Sequence, residues 1–203
     1  SFKENWETMA QVYPLPAILV WNCSVFVNAP MNDPSYKERY QMQVFDSPMF
    51  MQHSVSNRGD QFPEFEKMVK GTLSMTTREL IEVFAFNWIM LVMHAFGLTE
   101  LIARYFFLKK GLPFVSFYER LALFAMSNPE SLLGREYLGA IRHAEKGYGG
   151  AGWGQQDESL GEITWPIEEA SWLRLVRSGE RWEKEIREFV YVAYVKDASE
   201  SER

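Results

Sequence analysis

Cysteine is nearly absent from this sequence, and its scarcity excludes several kinds of chemistry. Cys23 is the only thiol among 203 residues. The chain therefore cannot form an intrachain disulfide framework or a self-contained cysteine-rich metal or iron–sulfur site. Such cysteine usage is typical of reducing compartments, and we expect a cytoplasmic protein. Cys23 lies in a β-branched run without a nearby histidine, which predicts a small buried hydrophobic residue.

Basic residues and long apolar runs are also scarce. The chain has 21 Lys and Arg against 27 Asp and Glu, a net charge of −6. Because phosphate-backbone binding depends on clustered cations, nucleic acid is not an expected partner. No basic and then apolar leader opens the chain, and the apolar run 83–96 is shorter than the roughly 20 residues that span a bilayer. We predict no membrane span.

Motifs for phosphate and metal binding are missing. The glycine-rich segment 147–161 around Trp153 contains neither GxGxxG after a strand nor GxxxxGK(S/T). It is predicted to be a flexible connection without regular structure, either a plain linker or a mobile lid that carries Trp153. His53, His94 and His143 do not have the spacing of zinc-binding helices, so no metal site is predicted.

Apolar and aromatic side chains, in contrast, are abundant, at 47% and 15% of the chain. The stretch 76–107 predicts the centre of the fold, because Asn87 and His94 are the only polar residues between positions 83 and 96. A helix built from this run must be surrounded by other elements. Thr76 and Glu79 form a capping box at its start, and Gly97 predicts a stop or sharp bend before a second helix.

The remaining patterns predict a mainly α fold, a multi-helix orthogonal bundle around this buried central helix. One or two short N-terminal strands are expected within 17–27, an extended loop over 41–62 and a helix over 63–70. Asp33 with Pro34, Ser116 with Glu119, and Asn128 are predicted to begin further helices. We expect a strand-containing opening segment (1–45), a helical domain (46–196) and a disordered tail (197–203).

Two sets of residues keep alternative interpretations. Asn87 and His94 lie two helical turns apart and would share one face, so they could hold a ligand. Alternatively, each makes one hydrogen bond to a backbone group or a tryptophan N–H. The methionines Met42, Met49 and Met51 would fill gaps in the core or line an adaptable apolar surface, and core filling is the simpler interpretation.

Several segments resemble a known family in the family's own order. NAPMNDPSYKERY at 28–40 resembles the PN(A/S)PMx(D/E)PEYxxKY segment that follows the catalytic domain of cobalamin-binding radical S-adenosylmethionine proteins. This group includes relatives of the anaerobic magnesium-protoporphyrin IX monomethyl ester oxidative cyclase. GTLSMTTREL at 71–80, FNWIMLVMHAFGLTELIARYF at 86–106 and WPIEEASWL at 165–173 are similar to later elements of the family. Together they cover roughly residues 17 to 190.

The resemblance implies a C-terminal accessory portion of a larger enzyme, oxidative cyclase-like or methyltransferase-like and inactive by itself. The family's CxxxCxxC and DxHxxG motifs are absent from this sequence. Its 4Fe–4S cluster, S-adenosylmethionine and cobalamin would therefore belong to missing N-terminal catalytic domains, with residues 18–27 the final strand of the catalytic barrel or its remnant. This chain would bind no cofactor and carry no catalytic residue.

In that interpretation, the chain helps to enclose the substrate and cofactor space and contacts the other domains. The start at Ser1 without a methionine is also expected for a piece of a longer polypeptide. The alternative is a freestanding helical binding module whose apolar pocket surrounds Asn87 and His94. The candidate contact residues are Asn28, Pro30, Met31, Asn87, His94 and Trp153.

Overall fold

The structure is a computed structural model that describes residues 2–12, 21–55 and 64–196. Within them the chain forms eight α-helices and two antiparallel two-stranded sheets, which confirms the mainly α class. The orthogonal arrangement of the helices stays a prediction. The expected strand residues 17–20 and the expected disordered tail lie outside the described residues.

The helices are α1 Phe2–Ala10, α2 Pro34–Arg39, α3 Thr77–Ile89, α4 Glu100–Lys110, α5 Phe114–Ser127, α6 Leu132–Lys146, α7 Ile167–Arg177 and α8 Glu180–Tyr191. The strands are β1 Gln43–Pro48, β2 Phe65–Gly71, β3 Gln155–Asp157 and β4 Gly161–Trp165. Helices α3, α6 and α8 each continue into a π-helical turn, at Met90–Ala95, Gly147–Ala151 and Val192–Lys196.

The described residues divide into two compact units. The helical unit contains the described parts of Ser1–Ile18 and Ser171–Arg203 together with Trp88–Gly139. The mixed unit contains the described part of Leu19–Asn87 together with Ala140–Ala170, and it holds both sheets. The chain passes from one unit to the other within α3, α6 and α7.

The start of α3 confirms the predicted capping box. A carboxylate oxygen of Glu79 accepts the Thr76 backbone N–H at 2.7 Å and the Thr76 hydroxyl at 2.8 Å. The Glu79 N–H in turn donates to the Thr76 hydroxyl oxygen. These bonds, led by the backbone one, lower the pKa of Glu79. Further along, every residue from 85 to 94 is buried, as the apolar run predicts.

The start of α5 differs from the prediction. The helix begins at Phe114, so Ser116 lies inside its first turn and the Ser116–Glu119 box is wrong. Glu7 of α1 supplies the cap instead, because its carboxylate accepts the backbone N–H groups of Phe114 at 3.2 Å and Val115 at 2.7 Å. These two N–H groups have no partner within α5, and the α1 carboxylate satisfies them.

The start of α6 also differs. Asn128 ends α5 and donates through its amide to the Phe124 carbonyl at 2.8 Å, so its prediction as an N-cap is wrong. Ser131 accepts the Gly134 N–H at 2.8 Å. The buried Glu185 of α8 accepts the N–H groups of Leu132 at 2.8 Å and Leu133 at 2.7 Å. A helix far along the chain therefore completes this terminus.

All four strands of the described residues lie where the sequence predicts none, and β1 lies within the extended loop predicted over 41–62. Strand β2 replaces the helix predicted over 63–70 and pairs with β1, with Phe45 opposite Met68. Apolar residues at 65, 68 and 69 have the spacing of one helical face, which explains the wrong prediction. β2 forms a strand because β1 pairs with its backbone on one side and the segment around Ser24 on the other. The strand expected at 23–27 is reduced to one bridge, Ser24 opposite Met68, flanked by the bonds Val25 N–H to Lys67 O and Val69 N–H to Cys23 O.

The segment 147–161 was expected to lack regular structure, and this expectation is wrong. It contains a π-helical turn, β3 and the first residue of β4, and β3 pairs with β4 through Gln155 opposite Trp165.

Among the described residues, no individual helix has both the length and the apolar character needed to cross a bilayer. By length and composition alone, Thr77–Ala95 together with α4 passes that test as a pair bent by 89°.

Candidate functional site

His94 lies in a buried polar cluster of the helical unit. Its Nδ1 atom is 2.9 Å from the Tyr118 hydroxyl, and the rings of Phe114 and Tyr118 face it edge-on at 5.2 and 5.5 Å. Thr99 supports the cluster, because its hydroxyl donates to the Met93 carbonyl at 3.0 Å and lies 3.4 Å from the Tyr118 hydroxyl. The Nε2 atom of His94 has no hydrogen-bond partner within the described part of the chain.

Burial decides the charge of this cluster. It lowers the pKa of His94 to about 4, while Glu100 opposes and Arg104 reinforces the shift. Burial likewise raises the pKa of Tyr118. Both side chains are therefore neutral at neutral pH, and the cluster can donate and accept hydrogen bonds but presents no charge. His94 belongs to the π-helical turn Met90–Ala95, a type of local distortion that often occurs at functional positions.

Asn87 belongs to the mixed unit, near the end of α3. It is buried, and its Oδ1 atom has no hydrogen-bond partner among the residues described. The prediction of a shared face with His94 assumed uninterrupted α-helical spacing, and the π-helical turn breaks that spacing. The other interpretation expected one hydrogen bond for each residue. His94 makes such a bond, but its partner is the Tyr118 hydroxyl rather than a backbone group or a tryptophan N–H.

Trp153 is the centre of an aromatic cluster in the mixed unit. Its ring lies 5.4 Å from Phe84, 5.8 Å from His143 and 5.0 Å from Tyr148. Its indole N–H points at the Met68 sulfur at 3.1 Å, so the ring is held against β2. Burial lowers the pKa of His143 and raises that of Tyr148 to about 12, so both are neutral near pH 7.

Glycines in this segment serve close packing. A Cβ atom on Gly147 would lie 2.8 Å from ring carbons of Trp153, and one on Gly154 would lie 2.5 Å from the Phe50 ring. Gly152 also abuts the Phe50 ring and has a φ of 79°, a conformation that side chains other than glycine rarely adopt. The segment is thus packed against the mixed unit, unlike the plain linker considered from sequence.

The family-like loop forms a short turn on the mixed unit. Asn28 and Pro30 are exposed, and Met31 is half-buried within the 3₁₀ turn Pro30–Asn32. Asn32 fixes the turn, donating from its amide to the Val27 carbonyl and accepting from the Lys37 ammonium. Asp33 then caps α2 by accepting the Ser35 N–H at 2.8 Å, as predicted.

Residues 21–27, which precede this loop, are more exposed to solvent than predicted. Cys23 is exposed, so its prediction as a buried residue is wrong. Trp21, Phe26 and Val27 are 74%, 69% and 86% exposed. Large apolar side chains exposed close together in the sequence are typical of interaction surfaces. We call residues 21–27 the open segment.

The prediction that the methionine cluster fills the core is also corrected by the structure. Met49 and Met51 are exposed after the end of β1, so the core-filling interpretation is wrong for both. Met42 is half-buried. The alternative of an apolar surface agrees with their position, since Phe50 between them is also exposed.

Several residues in these clusters carry no local signal in the sequence. Tyr118 lies 24 residues after His94, and Met68 lies 85 residues before Trp153. A third contact, between His53 and Glu169 at 2.7 Å, joins residues 116 positions apart. His53 has a φ of 61°, which is uncommon outside glycine. Periodicity and motif spacing could not reveal any of these pairs.

The donor set does not fit a metal cluster. In residues 2–12, 21–55 and 64–196, no three His, Cys, Asp or Glu side chains are grouped to hold a metal ion. The single cysteine also cannot supply the thiolates that an iron–sulfur cluster requires.

Two curated proteins align with almost the whole chain. The 2-(S-pantetheinyl)-carbapenam-3-carboxylate methyltransferase of Streptantibioticus cattleyicolor is 23% identical over 214 residues, which cover 98% of this chain and 31% of that protein. The cobalamin-dependent radical SAM methyltransferase TokK of Streptomyces tokunonensis is 22% identical over 204 residues, covering 94% of this chain and 30% of TokK. The chain thus spans less than a third of the length of either relative. No protein-family model matches it.

Proposed function

We propose that this chain is the C-terminal accessory region of a cobalamin-dependent radical S-adenosylmethionine methyltransferase and is not catalytic alone. The observation that carries the proposal is the alignment of 98% and 94% of the chain with 31% and 30% of two methyltransferases. Their names favour the methyltransferase-like reaction over the cyclase-like one. Catalytic domains elsewhere in the same polypeptide would hold the 4Fe–4S cluster, S-adenosylmethionine and cobalamin.

In this proposal the chain contacts those domains and helps to enclose the substrate and cofactor space. The six candidate residues of the sequence analysis keep this role as proposed contacts: Asn28, Pro30, Met31, Asn87, His94 and Trp153. Of these, Asn28 and Pro30 are exposed and follow directly after the open segment. The loop and the open segment would then form one continuous contact surface.

The open segment supports such a contact in two ways. Its apolar side chains Trp21, Phe26 and Val27 are mostly exposed, which is unfavourable in water. It also pairs with β2 on one side only, since no described residue bonds to the backbone of Ser24 on the other side. An extended segment whose backbone has no partner on one side among the described residues, next to exposed aromatic side chains, is suited to receive a neighbouring domain.

The test uses Cys23, which lies within the open segment. The polypeptide encoded by the complete reading frame is compared with the present chain for the rate of iodoacetamide alkylation at Cys23, followed by peptide mass spectrometry. We expect Cys23 to react at least ~10-fold more slowly in the longer polypeptide, because a contact that buries a thiol restricts reagent access. A Leu123→Cys variant, on an exposed position of α5, serves as the control and should react equally in both.

Two results would refute the proposal. One is equal alkylation of Cys23 in both polypeptides, which would show that nothing covers the open segment. The other is a complete reading frame without a CxxxCxxC motif, because the parent protein could not then bind the cluster in the family's manner.

The freestanding binding module stays the second candidate. The unpartnered Nε2 atom of His94 favours it, because a ligand could supply the missing hydrogen bond. Fluorescence titration of the present chain with 1-anilinonaphthalene-8-sulfonate tests for an apolar pocket there. Binding that His94→Phe abolishes would support the module, and no binding would count against it. Tyr118 and Phe114, which surround His94, are completely buried, so a ligand would have no open path to this atom. The accessory region is therefore the preferred proposal.

A further inference from the structure

The open segment is attached to the mixed unit along one side of β2. Ser24 forms a bridge to Met68, and its hydroxyl donates to a carboxylate oxygen of Glu66 at 2.7 Å. The Val25 N–H donates to the Lys67 carbonyl at 2.6 Å. Strands usually have about 3–10 residues, and even an isolated hairpin is only marginally stable in water. So short a pairing needs further contacts to keep the open segment extended.

The aromatic cluster of Trp153 contacts both sides of this pairing. The Tyr148 hydroxyl donates to the side-chain oxygen of Asn22 at 3.0 Å, which fixes the open segment itself. The Trp153 N–H points at the sulfur of Met68, the residue opposite Ser24 in the bridge. The rings of Tyr148 and Trp153 meet edge-on, with their centroids 5.0 Å apart. Two packed rings thus connect the open segment to the strand that it pairs with.

The Tyr148 hydroxyl is suited to a lasting hydrogen bond. The residue is buried, and burial raises its pKa to about 12, while a negative charge on Cys23 would raise it further. The hydroxyl therefore keeps its proton near neutral pH and can donate it to Asn22. Because Cys23 follows Asn22 directly, the reactivity of its thiol reports on this part of the open segment.

We propose that Tyr148 and Trp153 are positioning residues, which keep the open segment extended against β2 and so preorganise the surface that a neighbouring domain would contact. The neighbouring domain rests on the proposed function, whereas the attachment belongs to the mixed unit alone. A segment that is already ordered loses less conformational entropy when it docks. In this role Trp153 acts through Met68 and the open segment.

Amide hydrogen exchange of the present chain, followed by NMR, tests the positioning role. Tyr148→Phe keeps the ring beside Trp153 and removes only the hydroxyl. The Val25 N–H should then exchange about 5- to 10-fold faster, because the loss of one hydrogen bond makes local opening more frequent. Asn22→Ala should have the same effect. The double variant should exchange no faster than either single variant, since both changes remove the same bond.

Two controls distinguish local release from general destabilisation. Tyr194→Phe removes a buried hydroxyl of the helical unit that has no hydrogen-bond partner within the described ranges, so it should leave the exchange of Val25 unchanged. The Thr99 N–H, which donates to the Met93 carbonyl at 2.7 Å in the helical unit, is the reference amide. It should exchange at the same rate in every variant.

Trp153→Phe tests the second positioning residue. It removes the N–H contact to the Met68 sulfur, so the Val25 N–H should again exchange faster while the Thr99 N–H does not change. Unchanged exchange at Val25 in Tyr148→Phe and Trp153→Phe would overturn the proposal. Equal acceleration at Val25 and Thr99 would overturn it as well, because the two rings would then stabilise the whole chain rather than position one segment.

The complete polypeptide separates this proposal from the proposed function. There, Tyr148→Phe should partly reverse the protection of Cys23 against alkylation, since a released segment docks less tightly. If Cys23 is protected and Tyr148→Phe leaves that protection unchanged, the positioning does not serve the contact and the proposal is wrong. If Cys23 of the unmodified polypeptide is not protected at all, the proposed function fails, and the exchange at Val25 still measures the attachment.

Discussion

The indole ring of Trp153 occupies the space that a side chain on Gly147 would need. A Cβ atom at position 147 would lie 2.8 Å from the ring carbons, closer than real Cβ contacts come. The ring is also held by its N–H contact to the Met68 sulfur at 3.1 Å. The glycine and the tryptophan therefore form one packing unit that joins the end of α6 to β2 within the mixed unit.

Gly147→Ala is expected to displace Trp153 and to lower the free energy of unfolding by about 1–3 kcal/mol, the usual cost of overpacking. Urea unfolding and the near-ultraviolet circular dichroism of the tryptophan would measure both effects. Gly149→Ala is the matched control, because a Cβ there meets no atom within 4 Å. It should be neutral or slightly stabilising. Equal stabilities for the two variants would contradict the packing argument.

Glu185→Gln is expected to destabilise the helical unit by about 1–3 kcal/mol, because the carboxylate accepts two N–H groups at the start of α6. The amide keeps a single acceptor oxygen, and its NH₂ group would face one of the donors. Glu188→Gln removes the same charge from an exposed position of α8 and should change the stability by less than about 0.5 kcal/mol. Chemical unfolding of both variants gives the comparison. Similar losses would show that charge, rather than capping, is responsible.

These caps also indicate what could be predicted from the sequence. The start of α3 was predicted correctly because Thr76 and Glu79 lie within one turn of each other. The starts of α5 and α6 were not, because their carboxylate partners lie 107 and 52 residues away. Strand β2 was missed for a related reason, since its pairing partners come from distant segments that no local pattern specifies.

The candidate site likewise has some features that the sequence predicts and others that it does not. The burial of His94 followed from the apolar run around it, but its partner Tyr118 comes from another helix. The position of Trp153 in a glycine-rich segment was visible, whereas the need for Gly147 as a packing surface appears only once the ring is placed. Composition and periodicity thus predicted which residues are unusual, and tertiary packing determines what each one contacts.

Tyr118→Phe is expected to lower the free energy of unfolding by about 1–2 kcal/mol, because it leaves the Nδ1 atom of His94 without its partner in the core. A double-mutant cycle with His94→Phe separates this bond from the effects of packing. If the hydrogen bond matters, the loss caused by Tyr118→Phe should largely disappear when His94 is already replaced. Additive losses would mean that the 2.9 Å contact contributes little.

His94 predicts how the stability depends on pH. Burial lowers its folded-state pKa to about 4, below the 6.5 expected in the unfolded chain, so the unfolded state binds the proton more readily. Above about pH 7 the residue is neutral in both states and has no effect. As the pH falls from 6.5 to 4, the stability should decrease by up to about 3 kcal/mol, and below pH 4 this contribution should become constant.

Urea unfolding at several pH values between 4 and 8 would measure this decrease. His94→Gln removes the titrating group and should flatten the profile, although a part of the slope should persist because burial also lowers the pKa of His143. Glu7, Glu100 and Arg104 interact electrostatically with His94, so their substitution would confuse the comparison and they are left unchanged. If the unmodified chain and His94→Gln lose stability in parallel between pH 6.5 and 4, His94 is not held neutral by its burial.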